Sequence, residues 1–459
     1  MTPVDRSHLP RVNADAPFAF PPLVKSRLGN GLSLWCVEQP ALPLVSFLLV
    51  VPAGSASDPA ALPGLASLTG DMLDEGSGSR SAIDIHDAFA RIGAHLEIEV
   101  AADATMMGLT LLSRHVGRGL SLLADCVVRP GLRESDVDRV RQLRLNRLMQ
   151  LRDMAPAMAD RAFMQRLYRQ HPYGHLAIGT EAALRKITVA DVEAFHAGAY
   201  LANRASLIAV GDIPANELVR EVERAFGGWT SAGEDAAPVE FDAALAEPPA
   251  LTGRQLAVVD RPKAAQSELR VGHVAAARGT PDYVPLLVLN MVLGGQFVSR
   301  INLKLREEKG YTYGARTSFD FRRGLGPFLV QTSVQTSVTA PAVMEVFAEL
   351  EGIRGGRPVT GDELDLAKAA LTRGYARNFE TSEQLARALA QLVVHRLPDD
   401  YYDRFPGRVR QVDAGTVARV TGAYLRPDRM LTLIVGDRNA LEPALASAGL
   451  GEPAVLVPA

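Results

Sequence analysis

The chain has 459 residues, of which 47% are hydrophobic and 22% are charged, and its formal net charge is −3. This length exceeds one ordinary hydrophobic core and predicts two to four domains of a soluble globular protein. The slightly acidic balance excludes a general binder of nucleic-acid backbones or of anionic membranes, because both carry a basic excess. The two cysteines, Cys36 and Cys126, form no metal-binding pair and lie in apolar runs, so we expect both to be buried as small hydrophobic side chains.

The chain starts with a Pro-rich extension at residues 1–21, which lacks the basic start and the apolar run of a secretory signal. We therefore expect a cytoplasmic protein, or a periplasmic one whose leader has been removed. Further along, the patterns predict strands at Leu32–Val37 and Pro43–Val51, β structure with a turn at Asp103 within His95–Leu112, a helix over Ser135–Leu151, and a helix from a capping box at Thr360 to about Asn378.

A duplication organises the chain. Gly198–Asp212 contains the end of a helix, a short loop and a buried strand ending in Gly-Asp, and Gly422–Asp437 repeats that order about half of the chain later. A repeat of this size indicates two duplicated domains rather than a solenoid. The long helices do not alternate one for one with strands, which favours an α+β fold with an antiparallel-rich mixed sheet packed by helices in each domain. The predicted divisions are an extension at 1–21, a first domain at 22–228, a Gly-, Pro- and Ala-rich linker at 229–255, a second domain at 256–451 and a tail at 452–459.

The segment Leu293–Gly314, in the second half of the chain, carries the clearest chemical signal. Two glycines open it, apolar residues with helical spacing follow, and Gly310 suits the end of that helix. A strand is predicted from about residue 311, which places Arg306 in the last helical turn and Tyr313 at the start of the strand. The turn between them is expected to bring both polar side chains to one edge. An isolated pair of this kind is more often a salt-bridging arginine and a tyrosine in a sheet.

The order of residues in this segment resembles one known family. A glycine pair, a Ser-Arg helix, Leu-Arg-Glu, a glycine and a tyrosine also form the Arg/Tyr segment of the pitrilysin/insulinase zinc peptidases, the inverzincins. The arginine and the tyrosine of that segment are seven positions apart, as Arg306 and Tyr313 are. The resemblance implies that both residues face a peptide in a partner's zinc site, hold its scissile carbonyl and stabilise the negative charge that develops there. It extends over most of the chain, through Leu28–Leu32, Val51–Ser55, His171–Gly174, Gly179 and Gln266-Ser267.

The same resemblance reveals a loss. In catalytic members, Gly-Leu-Ala is followed by H-x-x-E-H, in which two histidines bind zinc and the glutamate activates water. Here Gly-Leu-Ala at 64–66 is followed by Ser-Leu-Thr-Gly-Asp, and no acidic residue lies near Arg147, where the distal glutamate ligand is expected. Losing all four groups predicts that this chain itself holds no zinc. The degenerate motif positions are Ser67, Gly70 and Asp71.

Two functions remain open. The first is the non-zinc-binding, Arg/Tyr-bearing subunit of a bacterial two-subunit metalloendopeptidase similar to mitochondrial processing peptidase. Its partners are then a homologous zinc-binding subunit and a peptide substrate, its cofactor is the partner's zinc, and the chain is inactive alone. The alternative is a non-catalytic structural or peptide-binding homologue resembling respiratory-complex core subunits, against which the retained Arg306 and Tyr313 count. A self-sufficient hydrolase is disfavoured because no nucleophile–base pair is evident. His171 and His175 have the spacing of a helical zinc pair, but the proline and glycine between them oppose a helix.

Overall fold

The computed structural model describes residues 18–229 and 247–457, which form the first and the second half of the molecule. The predicted extension (1–21) and linker (229–255) therefore fall largely outside the described residues. In the first half the elements are β1 (Val24–Arg27), β2 (Ser33–Glu38), β3 (Leu44–Val51), α1 (Leu65–Asp71), β4 (Gly76–Ser77), β5 (Arg80–Ser81), α2 (Ala82–Ala90), β6 (Leu96–Val100), β7 (Thr105–Leu112), α3 (Val116–Val128), α4 (Glu134–Arg152), α5 (Ala155–Tyr168), α6 (Glu181–Leu184), α7 (Val189–Ala199), β8 (Ser206–Gly211) and α8 (Ala215–Phe226).

The second half continues this numbering. Its elements are β9 (Gln255–Asp260), β10 (Gln266–Ala276), α9 (Tyr283–Leu293), α10 (Arg300–Asn302), β11 (Ala315–Phe319), β12 (Gly326–Gln335), α11 (Thr339–Arg354), α12 (Gly361–Thr372), α13 (Ser382–His395), α14 (Tyr401–Gln411), α15 (Ala414–Tyr424), β13 (Leu431–Gly436), α16 (Arg438–Ser447) and β14 (Ala454–Leu456). None of the helices in the two described ranges combines the length and the apolar character needed to cross a bilayer.

Each half forms one six-stranded sheet, and five strands follow the same order in both sheets. The sixth strand differs: it is β1, antiparallel to β2, in the first sheet and β14, parallel to β9, in the second. The first sheet runs β1-β2-β8-β3-β7-β6, and the second runs β14-β9-β13-β10-β12-β11. The strands of the sequence repeat, β8 and β13, each pair in parallel with one neighbour and antiparallel with the other. The predicted α+β architecture with antiparallel-rich mixed sheets is confirmed.

The two halves exchange one helix each. Helix α5 of the first half lies across β9, β13 and β10 of the second sheet, where Phe163 and Leu167 share a buried cluster with Leu431 and Leu433. Helix α13 of the second half lies across β3 and β8 of the first sheet, and its Leu385 is buried in a hydrophobic cluster that includes residues of both strands. Because β8 and β13 are covered on both faces, all of their residues are buried, and their sequences are nearly continuous apolar runs instead of alternating ones.

A hydrogen-bond network also joins the halves, at the turn between β6 and β7. The Asp103 carboxylate accepts hydrogen bonds from the Tyr173 hydroxyl (2.6 Å) and from the backbone N–H of Arg323 (2.8 Å). The Tyr173 hydroxyl in turn accepts one from the N–H of Gly324 (3.0 Å). Burial and the Asp103 charge raise the pKa of Tyr173, so its phenol stays protonated and keeps donating to Asp103. The predicted turn at Asp103 thus anchors the second half to the first.

Local predictions agree with the structure in part. The capping box at Thr360 is present, with both reciprocal hydrogen bonds to Glu363 formed. The helix ends at Thr372 instead of about Asn378, and a 3₁₀ segment at Tyr375–Phe379 follows the helix-weakening glycine at 374. As expected, both cysteines are buried free thiols, and burial raises the pKa of Cys36 to about 11 and that of Cys126 to about 12.

Candidate functional site

The three degenerate motif positions lie on α1, a short helix whose start is tightly fixed. It begins after Gly64, whose φ of 104° favours glycine, and a Cβ added there would lie 2.8 Å from the Cα of Gly179. The buried Asp58 carboxylate accepts hydrogen bonds from the N–H groups of Gly64 and Ala66, both at 2.6 Å, and so satisfies free donors at the helix start. His175 Nε2 lies 2.9 Å from the same carboxylate. His175 therefore has a structural role at α1.

A guanidinium fills the space between α1 and α4. Arg144 donates from Nε to Asp71 Oδ2 at 2.6 Å, and from Nη2 to the Ser67 hydroxyl. Only 10% of its side chain is exposed. The family resemblance predicts the lost distal ligand near Arg147, but that residue is exposed and bonds to Gln150 on its own helix. Arg144, which the sequence analysis missed, is the residue of α4 that faces the degenerate motif.

The opposite side of α1 is closed by the edge strand β6. A Cβ added at Gly70 would lie 2.8 Å from Val100 Cγ2 and 3.6 Å from Ile98 Cγ2, so a glutamate there would require the Val100 side chain to move. Zinc sites need several His, Cys or carboxylate ligands and, for catalysis, room for water. An arginine cation at Asp71 and an apolar wall at Gly70 do not fit that ion. Across residues 18–229 and 247–457, no group of three or more His, Cys, Asp or Glu side chains is placed to hold a metal.

Arg306 lies on a π-helical turn, Leu303–Glu308, that directly follows α10. The sequence predicted a regular helix here, and single π turns of this kind occur often at functional sites. The Arg306 guanidinium stands over the Phe297 ring, with Cζ 4.5 Å from the ring centroid, and Nε lies 3.3 Å from Glu307 Oε1. Gly310 has a φ of 64°, which agrees with its predicted place at the end of the helix.

Tyr313 lies in the turn before β11, and 92% of it is exposed. The prediction that a strand starts near residue 311 is wrong, because the strand begins at Ala315. The Thr312 hydroxyl holds the turn: it donates to a carbonyl of β12 at 2.7 Å and accepts from the N–H of Gly314 at 3.1 Å. The buried Asn302 accepts from the N–H of Ala315 at 2.9 Å. The backbone around Tyr313 is therefore fixed while its side chain points outward.

The structure thus places Arg306 and Tyr313 at the two ends of one connection, between the π turn and β11. No residue in the described ranges bonds to the Tyr313 hydroxyl, and the ring beneath Arg306 leaves its guanidinium able to donate outward. A guanidinium and a phenol can donate to a developing oxyanion. By themselves the two groups provide no nucleophile and no general base. They can therefore take part in catalysis only where other groups supply both.

Comparison with known protein families gives two matches along the chain. Residues 36–181 match the family model described as "Insulinase (Peptidase family M16)", and residues 186–371 match the model described as "Peptidase M16 inactive domain". The two matches cover the first half almost entirely and much of the second, including the segment with Arg306 and Tyr313.

Individual relatives and solved structures agree with these matches. An "uncharacterized zinc protease" of Mycobacterium tuberculosis is 28% identical over 415 residues, which are 89% of this chain and 91% of that protein. The "Probable mitochondrial-processing peptidase subunit beta" of Schizosaccharomyces pombe is 24% identical over 288 residues, 62% of each chain. A structure titled as the peptidase M16 inactive domain from Pseudomonas fluorescens has a TM-score of 0.83 at 24% identity, covering 91% of this chain and 98% of that one. A protease from Helicobacter pylori has a TM-score of 0.84 at 20% identity, covering 91% and 100%. The two structural likenesses show the fold.

Proposed function

Because the chain belongs to the M16 (insulinase) peptidase family, we propose that it is the zinc-less subunit of a two-subunit zinc peptidase that cleaves peptides. In this proposal a homologous partner supplies the H-x-x-E-H motif, and this chain supplies Arg306 and Tyr313 to the partner's active site. The partner's zinc would provide a Lewis acid and an activated water. The Arg306 guanidinium and the Tyr313 hydroxyl would bind the scissile carbonyl oxygen and stabilise its charge in the transition state.

The observation that carries the proposal is an exposed tyrosine on a fixed turn. Tyr313 is 92% exposed, yet Thr312 and Asn302 hold the backbone on both sides of it. The fixed backbone directs the phenol away from the chain, where its hydroxyl can meet a group of another molecule. Because the backbone is already fixed, only the side-chain rotations of Tyr313 are lost when the substrate arrives, which lowers the entropic cost of placing this donor.

The degenerate motif supports the division of labour between two chains. Arg144 binds both Ser67 and Asp71, and β6 packs against Gly70, so this half is built around a cation of its own. The zinc and the catalytic base must then come from elsewhere if peptides are to be cleaved. The name of the Schizosaccharomyces pombe relative describes a subunit of a processing peptidase, which supports the expectation of a partner subunit.

The test is reconstitution with a homologous chain that carries H-x-x-E-H. Each chain alone is expected to be inactive, and the mixture is expected to cleave peptides. Arg306→Ala and Tyr313→Phe should each lower kcat by about 10²–10³-fold, the usual effect of removing one oxyanion donor, without changing co-purification of the subunits. Arg118→Ala, which removes an exposed arginine of α3, is the matched control and should cleave at the wild-type rate.

Two results would count against the proposal. Wild-type kcat in both Arg306→Ala and Tyr313→Phe would remove these residues from catalysis. A stable complex that binds peptides but never cleaves them would instead support the alternative function, a structural or peptide-binding homologue.

A further inference from the structure

A cavity of about 560 Å³ opens beside Arg306, over the part of the second sheet that extends beyond the start of α5. The start of α5 at Pro156 forms one wall, and strands β10, β11 and β12 form the floor. Three arginines line it: Arg270 on β10, Arg306 on the π turn and Arg316 on the edge strand β11. The only acidic residue among the described lining residues is Glu268, so the cavity carries an excess of positive charge.

The three arginines differ in how their charges are balanced. Arg270 is buried and doubly paired, with Asp160 of α5 at 2.7 Å and with Glu268 at 3.1 Å. Among the described residues, the carboxylate that pairs with Arg306 is that of its neighbour Glu307, at 3.3 Å. Arg316 is exposed, and no carboxylate of the described residues lies within ion-pair distance of it. Its contact is the neutral Gln331 amide, whose oxygen accepts from Nη2 at 2.8 Å when turned toward it.

The first half provides an internal comparison. Its edge strand β6 occupies the same place in the first sheet as β11 does in the second, and Glu97 is the second residue of β6, as Arg316 is of β11. There the crossing helix neutralises the edge: Arg387 of α13 binds Glu97 at 3.3 Å and Glu99 at 3.1 Å. In the second half the crossing helix α5 directs its carboxylate to Arg270 instead. The charge of Arg316 is therefore left for a group from outside the chain.

We propose that Arg316, next to Arg306, forms a subsite that binds a carboxylate of the peptide substrate. A guanidinium suits this ligand because its planar N–H groups match both oxygens of a carboxylate. The Gln331 amide holds the Arg316 guanidinium from one side and leaves other donors for the ligand. The carboxylate comes either from an Asp or Glu side chain or from the C-terminus of the peptide. This inference rests on the proposed function, because the subsite borders the residue assigned there to the scissile carbonyl.

Peptide binding to the isolated full-length chain tests the subsite without any partner. Fluorescence anisotropy would compare four labelled peptides of one sequence: with Glu or with Gln at a single position, each with a free or an amidated C-terminus. We expect wild type to bind the peptide carrying the recognised carboxylate about tenfold more tightly than its neutral counterpart. Arg316→Ala should abolish that preference, Arg316→Lys should keep only part of it, and the Arg118→Ala control should retain it in full.

The four peptides separate the two sources of the carboxylate, since a Glu/Gln difference indicates a side chain and an acid/amide difference indicates the C-terminus. Undiminished preference in Arg316→Ala, or equal binding of all four peptides by wild type, would overturn the subsite. The proposed function fails by a different result. If Arg306→Ala leaves cleavage by the mixed complex unchanged while Arg316→Ala still abolishes the binding preference, the subsite stands and the catalytic role does not.

Discussion

The guanidinium of Arg144 should contribute measurably to the stability of the first half. Arg144→Met keeps the length and the apolar stem of the side chain but removes its bonds to Asp71 and Ser67. Removing one partner of a buried ion pair costs about 3–5 kcal/mol. Here the Asp71 side chain is 44% exposed and regains water, so we expect a loss of about 2 kcal/mol, close to that of one hydrogen bond to a charged group.

Replacing Asp71, the other member of this ion pair, should destabilise the protein more than replacing Arg144. Asp71→Asn leaves the Arg144 cation, whose side chain is only 10% exposed, without its counterion. A buried unpaired charge is costlier than a half-exposed one, so Asp71→Asn should lower the free energy of unfolding by more than Arg144→Met does. The double variant should lose less than the sum of the two single variants, because both remove the same interaction.

Urea unfolding followed by tryptophan fluorescence is a suitable assay. The chain has two tryptophans, Trp35 and Trp229, and both lie in the first half, so the signal reports on the part of the molecule that contains Arg144. Arg147→Met is the matched control, because Arg147 lies on the same helix but is exposed, and it should change stability by no more than about 0.5 kcal/mol. Equal unfolding midpoints for Arg144→Met and Arg147→Met would refute the view that Arg144 supports α1.

Two further predictions concern the metal and the pH. The triple variant Ser67→His, Gly70→Glu and Asp71→His restores the zinc motif, but it should not retain zinc after dialysis because Arg144 and β6 still occupy the site. Elemental analysis measures this, and one zinc per molecule in the triple variant would contradict the prediction. Burial lowers the pKa of His273 to about 4, and in the folded state its Nε2 accepts from a backbone N–H, so protonation there breaks a bond. Because the unfolded state binds this proton more readily, the free energy of unfolding should fall by about 3 kcal/mol as the pH drops from 6.5 to about 4. The urea midpoint of His273→Gln should vary less across this pH range than that of wild type. Identical pH profiles of the two proteins would exclude a contribution of His273.

Much of the fold follows from local signals that the sequence states directly. The repeat at Gly198–Asp212 and Gly422–Asp437 predicts two equivalent strands, and β8 and β13 do occupy equivalent places in two sheets that share the order of five strands. The capping box at Thr360 depends on residues three positions apart, so no distant contact is needed to recognise it. The segment with Arg306 and Tyr313 was found from the order of its residues, and its roles in binding and catalysis stay predictions.

Other features depend on contacts that no local pattern encodes. Helix α4 has five arginines, and only the packing of α4 on α1 distinguishes Arg144 from the four others. The aromatic and β-branched residues at 311–313 favour a strand. The Thr312 hydroxyl instead hydrogen-bonds within the turn, and the strand begins only at Ala315. The apolar faces of α5 and α13 indicate that both helices are buried, without indicating that each one covers the sheet of the other half.

The exchange of α5 and α13 has a consequence for how the molecule holds together. Two equivalent units that each cover the other's sheet with a helix have the geometry of a domain-swapped dimer, here joined into one chain. Separating the halves would uncover the cluster around Leu431 and Leu433 and break the bonds at Asp103. A chain cut between residues 229 and 247 should therefore migrate as one particle in native buffer and release two fragments only in denaturant.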